Sequence, residues 1–195
     1  MLDKNLFSEE YFRGGKLSNY GDYSSCYGVL ITYAKMIETI FHPASIFDAG
    51  CAYGFLVDYF KNKGIHSLGM DISDFASQQS PNVIQGDITE LYKYDIGQFD
   101  VVTCTEVLEH IPETKATQAV LNLVAIAKRY VILLIAFNDY DNSDITHVNL
   151  HPRIWWEGLF ASLKLKRDLK REEELNKHQV SIDIGWADRF FVIKK

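Results

Sequence analysis

Between residues 45 and 137, short apolar runs of strand length alternate with amphipathic stretches of helix length. This alternation constrains the fold more than any other feature of the chain. The strand-like runs are residues 45–49, 67–72, 82–84, 99–103 and 130–137. Helical spacing fills residues 55–63, a short stretch after Ser73, residues 114–128 and, beyond them, 152–163. Strands separated by helices imply a parallel sheet covered on both faces. Upstream, apolar residues recur at helical spacing from Cys26 to Phe41, and Pro43 stops that helix. The rhythm breaks near the end. Residues 163–170 and 188–194 read as two strands with no helix between them, an antiparallel hairpin at the sheet edge.

The first βα turn carries the chemistry. In Phe47-Asp48-Ala49-Gly50-Cys51-Ala52-Tyr53-Gly54-Phe55 a strand ends beyond an acid, small residues make a thin turn, and a helix begins. Gly50 can adopt backbone angles closed to other residues. Ligands of open α/β sheets sit at the carboxyl ends of the strands, where this turn lies. Asp71 ends the second strand, where a carboxylate can hold a ribose hydroxyl pair. Asp87 follows the third strand, placed for an adenine amino group. The turn lacks G-x-G-x-x-G, which weakens a dinucleotide reading.

With these motifs and the segment from Phe99 to Ile111, the chain resembles the class I S-adenosylmethionine-dependent methyltransferases over essentially its whole length. The resemblance implies a Rossmann-like α/β fold with a seven-stranded, mostly parallel sheet, a C-terminal antiparallel hairpin and helices on both faces. It implies S-adenosyl-L-methionine as cofactor. Gly50, Cys51, Ala52 and Gly54 would face its methionine portion, Asp71 and Ile72 its ribose, and Asp87 and Ile88 its adenine. Asp48 would support the loop and the cofactor's amino group, and Thr105, Tyr20 and Tyr23 would complete the contacts. Many members have glycine where this chain has Ala52, a change that keeps the turn thin.

Methyl transfer needs positioning and, for a hydroxyl acceptor, a base. Glu106, Glu109 and His110 stand at i, i+3 and i+4, on one face if the segment is a helical turn. His147, in the loop after the fifth strand, reaches the same sheet edge. Three readings stay open: loop orientation by hydrogen bonds, His110 or His147 as general base, or a divalent ion (Mn²⁺ or Mg²⁺, with Zn²⁺ also suited) on Glu106, Glu109, His110 and His147. The last resembles, locally, the small-RNA 3′-end 2′-O-methyltransferases. His42 and His151 flank prolines at helix boundaries, and His66 and His178 sit in polar surroundings.

The remaining features bear on acceptor and setting. Residues 1–25 are rich in aromatics among glycines, including Tyr11, Phe12, Tyr20 and Tyr23, and read as a lid over a core formed by residues 26–195 in one domain. This pattern resembles bacterial methyltransferases that act beside glycan and natural-product enzymes. Of the adjacent Trp155 and Trp156, one is expected in the core and the other against an acceptor. The basic run from Lys164 to Arg171, followed by Glu172, Glu173 and Glu174, reads as a solvated edge strand and its turn. A net charge of −6 argues against a broad nucleic-acid footprint. Three cysteines without a CxxC pair read as reduced thiols. No signal peptide is evident, and the longest apolar run is too short to span a bilayer, so a cytoplasmic protein is expected. The leading expectation is O-methylation of a small-molecule or glycan hydroxyl. The alternatives are an RNA 2′-O-methyltransferase and a non-catalytic cofactor-binding partner subunit.

Overall fold

Alternation along the strands decides which side chains face which helices. Ile46, Val101, Ile132 and Val192 pack on one sheet face, and their neighbours Phe47, Val102, Leu133 and Phe191 on the other. Both faces are covered, so the strands are apolar along nearly their whole length. The computed structural model describes residues 4–15, 21–137 and 144–195. Its strands are β1 (Ser45–Ala49), β2 (His66–Asp71), β3 (Val83–Gln85), β4 (Phe99–Thr105), β5 (Ala127–Leu134), β6 (Lys166–Arg167) and β7 (Phe190–Lys194), forming one seven-stranded sheet in the order β3-β2-β1-β4-β5-β7-β6. The first five are parallel; β7 runs antiparallel to both β5 and β6.

The helices are α1 (Glu9–Phe12), α2 (Tyr27–Phe41), α3 (Phe55–Asn62), α4 (Asp74–Ser77), α5 (Glu113–Ile126), α6 (Arg153–Ser162), α7 (Leu169–Asn176) and α8 (Gln179–Asp183). Tyr33, Ile37 and Phe41 of α2, Leu56 and Phe60 of α3 and Leu175 of α7 cover one face. Val120 and Leu123 of α5 and Trp156 and Phe160 of α6 cover the other. The strand order reverses between β1 and β4, and a crevice opens there at the carboxyl ends of the strands. No described helix is long and apolar enough to cross a membrane.

The C-terminal pairing is antiparallel as expected, but its connection differs. The strand expected over residues 163–170 shrinks to Lys166–Arg167, and α7 and α8 lie before β7. Asp168 caps α7 by accepting from the Arg171 amide at 3.2 Å. Glu172, expected in solvent, is buried and accepts from Arg153 and Arg167 as well as from the Val192 amide at 3.2 Å. A charge run that looks solvated in sequence thus anchors α7 to α6 and the sheet edge.

Candidate active site

The β1–α3 turn is built on reversed backbone angles. Gly50, Ala52 and Gly54 all have positive φ, at 72°, 47° and 76°. A Cβ on Gly50 would collide with Val107, so this position needs glycine on two counts. Ala52 occupies the left-handed region despite its Cβ. Its amide donates to Asp71 Oδ2 at 2.8 Å, and Asp71 Oδ1 accepts from the Ser73 amide at 2.9 Å. Asp71 therefore holds the turn and the start of α4 together. Burial raises its carboxyl to about 6, against the pull of those amides. Asp87 accepts from the Thr89 amide at 2.8 Å and caps the short 3₁₀ segment Ile88–Lys93.

A cavity of about 420 Å³ opens over these strand ends. Of the residues expected to bind cofactor, Gly50, Ala52, Asp71, Ile72, Asp87, Ile88, Thr105 and Tyr23 line it. Three others stand behind it. Asp48 is buried, accepts from Thr103 Oγ1 at 2.7 Å, and is raised to about 7 by desolvation. Cys51 is buried beside Val57 and Val83, and Gly54 serves as the left-handed N-cap of α3. Tyr20 lies outside the described residues.

Glu106, His110 and His147 also line the cavity, but the acids of this segment part company. Glu106 has a φ of 55°, and only Leu108–His110 form a 3₁₀ turn, so no common helical face exists. Glu106 pairs with Arg189. Glu109 is fully buried, accepts from the Ala136 amide at 3.1 Å through Oε1, and is held well above the usual carboxylate range by burial. Its Oε2 has no hydrogen-bond partner among the described residues. Glu109, His110 and His147 each offer a ligand atom within 4.8 Å of the others; Glu106 is not in that group.

The loop bearing His147 is tied to the 3₁₀ turn through the backbone. The Glu109 carbonyl accepts from the amides of Val148 and Asn149 at 3.0 and 2.9 Å, and Asn149 Nδ2 donates to the Leu108 carbonyl at 3.1 Å. The two imidazoles consequently lie 4.6 Å apart between centroids. Burial, then repulsion from His147, lowers His110 to about 4, which keeps it neutral. Its Nδ1 contacts Thr146 Oγ1 at 2.8 Å, and that hydroxyl donates to Asp144 Oδ1 at 2.5 Å.

The N-terminal aromatics close one side of the site. Phe7, Tyr11 and Phe12 line the cavity, and the Phe7 ring meets His110 edge-on at 5.6 Å. Ser73 Oγ donates to the Phe7 carbonyl, and the Tyr11 hydroxyl donates to Asp144 Oδ2 at 3.2 Å. The tryptophan pair meets its expectation by half, with one ring in the core and neither lining the cavity. Trp156 is fully buried, Trp155 stacks on His151 at 3.9 Å, and the cavity is lined by Trp186 instead. Of the other histidines, His42 ends α2 in the left-handed region, His66 stacks on Phe99, and His178 caps α8. Asp144, Cys26 and Trp186 were not singled out from sequence; only the Asp-x-Thr spacing of an Asx turn hinted at Asp144.

Residues 47–134, the stretch holding the turn and the three acids, match the family model described as methyltransferase domain. Over this stretch the chain is similar to that family. The ubiquinone biosynthesis O-methyltransferase of Aromatoleum aromaticum is 32% identical over 84 residues, covering 38% of this chain and 36% of that protein. The like-named protein of Hahella chejuensis is 31% identical over 90 residues, covering 41% and 38%. The match thus spans little more than a third of the curated relatives' length. Among solved structures, an S-adenosylmethionine-dependent methyltransferase from Archaeoglobus fulgidus superposes with a TM-score of 0.65 at 18% identity, over 99% of this chain and 100% of that one. The fold is therefore that of S-adenosylmethionine-dependent methyltransferases.

Proposed function

We propose that this chain is an S-adenosylmethionine-dependent O-methyltransferase acting on a small hydroxyl acceptor. The observation that carries the reading is the single cavity. It joins the Gly50–Ala52 turn and the carboxylates of Asp71 and Asp87 to the imidazoles of His110 and His147. The donor set fits the cofactor: a thin turn where a Cβ on Gly50 would clash, and one carboxylate at each of two successive strand ends. Asp71 would hold the ribose and Asp87 the adenine. When bound, the cofactor supplies an electrophilic methyl group on a good leaving thioether. The protein's share is to orient the acceptor and take its proton, and His110, kept neutral by burial, is suited to receive one. The flanking Phe7, Tyr11 and Phe12 exclude water.

For the acceptor, the lining contributed by Phe7, Tyr11, Val29, Leu30 and Trp186 favours a flat, largely apolar hydroxyl compound over a sugar. The relatives' role in ubiquinone biosynthesis as O-methyltransferases supports oxygen as the methylated atom. A divalent ion on Glu109, His110 and His147 is a second reading, favoured by the buried Oε2 of Glu109, which has no hydrogen-bond partner among the described residues. One carboxylate with two imidazoles suits Zn²⁺ or Mn²⁺ better than Mg²⁺.

The test is calorimetry with S-adenosylhomocysteine, followed by label transfer from S-adenosylmethionine to phenols, sugars and RNA with a free 3′ end, each with and without chelator. Binding plus transfer to phenols is expected. No cofactor binding would sink the reading. Transfer only to sugars or RNA would overturn the acceptor class, and loss of activity on chelation would select the metal.

A further inference from the structure

We infer that Thr146 and Asp144 set the tautomer of His110, holding the ring proton on Nδ1 and leaving Nε2 with a free lone pair. Both residues are positioning groups, buried at 2% and 4% exposure, and Asp144 lies in the cavity lining beside His110.

The assignment follows from counting protons. Thr146 Oγ1 carries one hydrogen and lies within hydrogen-bond distance of two atoms, Asp144 Oδ1 at 2.5 Å and His110 Nδ1 at 2.8 Å. Asp144 is surrounded by donors: the Thr146 amide at 2.9 Å on Oδ1 and the Tyr11 hydroxyl at 3.2 Å on Oδ2. A carboxylate in that setting only accepts. The threonine hydrogen must therefore go to Asp144. The other arrangement would leave two oxygen acceptors 2.5 Å apart with no hydrogen between them. With its hydrogen committed, Thr146 Oγ1 presents a lone pair to His110, so Nδ1 must be the N–H donor.

The consequence concerns how the site is built. His110 lines the cavity, and an imidazole protonated on Nδ1 offers Nε2 as its acceptor. The relay also ties that choice to the N-terminal segment, because Tyr11 holds the far oxygen of Asp144. The functional consequence rests on the proposed methyl-transfer reading; the tautomer itself does not.

Imidazole nitrogen-15 spectra of the labelled full chain at neutral pH test the inference, with His110 assigned by its loss in His110→Gln. A protonated Nδ1 and an unprotonated Nε2 are expected in the native protein and in Thr146→Ser. In Thr146→Val the ring proton redistributes toward Nε2. Asp144→Asn goes further: asparagine can donate to Thr146, releasing the hydroxyl hydrogen to Nδ1 and inverting the tautomer. On the best acceptor, Thr146→Val lowers kcat about 10–100-fold. Thr146→Ser restores it, and affinity for S-adenosylhomocysteine is unchanged. A native His110 protonated on Nε2, or a tautomer that neither Thr146→Val nor Asp144→Asn alters, would overturn the inference. If the tautomer behaves as expected while calorimetry finds no cofactor binding, the methyl-transfer reading fails and the tautomer assignment stands.

Discussion

The Ala52 amide donates to Asp71 Oδ2 at 2.8 Å, so the acid proposed to hold a ribose also holds the β1–α3 turn. Replacing Asp71 should act on both. Asp71→Ala leaves the buried amides of Ala52 and Ser73 without their acceptor, at about 1–3 kcal/mol per group. A lower melting temperature and a loss of S-adenosylhomocysteine binding are expected by calorimetry. Asp71→Asn keeps one acceptor oxygen and should recover part of the stability but little of the binding.

Ala52 sits at a φ of 47°, where an L-residue pays about 1–2 kcal/mol. Ala52→Gly removes that strain but adds unfolded-state entropy of about 0.4–1 kcal/mol. Urea titration should show a change within about 1 kcal/mol, tending toward stabilisation. Gly50→Ala, which meets Val107 at a φ of 72°, should instead destabilise clearly. Equal costs at the two positions would contradict the geometry of the turn.

Asp48 has its carboxyl raised to about 7 by burial, above its unfolded value near 3.8. The folded state therefore binds the proton more tightly, and stability falls as pH rises from about 4 through about 7. Asp48→Asn abolishes that loss. Between pH ~5 and ~8 the variant should gain up to about 3 kcal/mol relative to the parent chain, measured by chemical denaturation at each pH. A difference independent of pH would rule out the buried, protonated carboxyl.

Glu172, with its side chain 5% exposed, joins Arg153 and Arg167. Removing it leaves Glu157 as the remaining carboxylate partner of both arginines and the buried Val192 amide without its side-chain acceptor, so Glu172→Ala should cost about 1–3 kcal/mol. Cofactor affinity should hold in whatever fraction stays folded, because none of the three residues lines the cavity.

The order of strands and helices was legible in sequence because it rests on local signals. Short apolar runs marked β1 to β5, Pro43 followed the end of α2, and Ser73 caps α4 by accepting from the Ala76 amide at 3.1 Å. The turn from Gly50 to Gly54 and the acids Asp71 and Asp87 were legible for the same reason: reversed φ angles and strand-end carboxylates leave a fixed spacing. Where the local signal was ambiguous the reading failed. The charged stretch around Glu172 suits an edge strand or a helix equally, and the Asp168 cap with burial of Leu175 decided for α7.

The sequence alone thus determined the α/β layering and the turn from Gly50 to Gly54 with its strand-end carboxylates, since these follow from periodicity and turn chemistry along short stretches of chain. The reaction end was decided only by tertiary structure. Glu106 and Glu109 look alike in sequence, yet one turns to Arg189 and the other is buried beneath His110 and His147. Trp186 displaces Trp155 and Trp156 from the cavity, and Tyr11 reaches Asp144 across 133 positions. Contacts over such separations depend on how α1, the 3₁₀ turn at Leu108–His110 and the loop at 144–150 pack at one sheet edge, and no local pattern encodes that convergence.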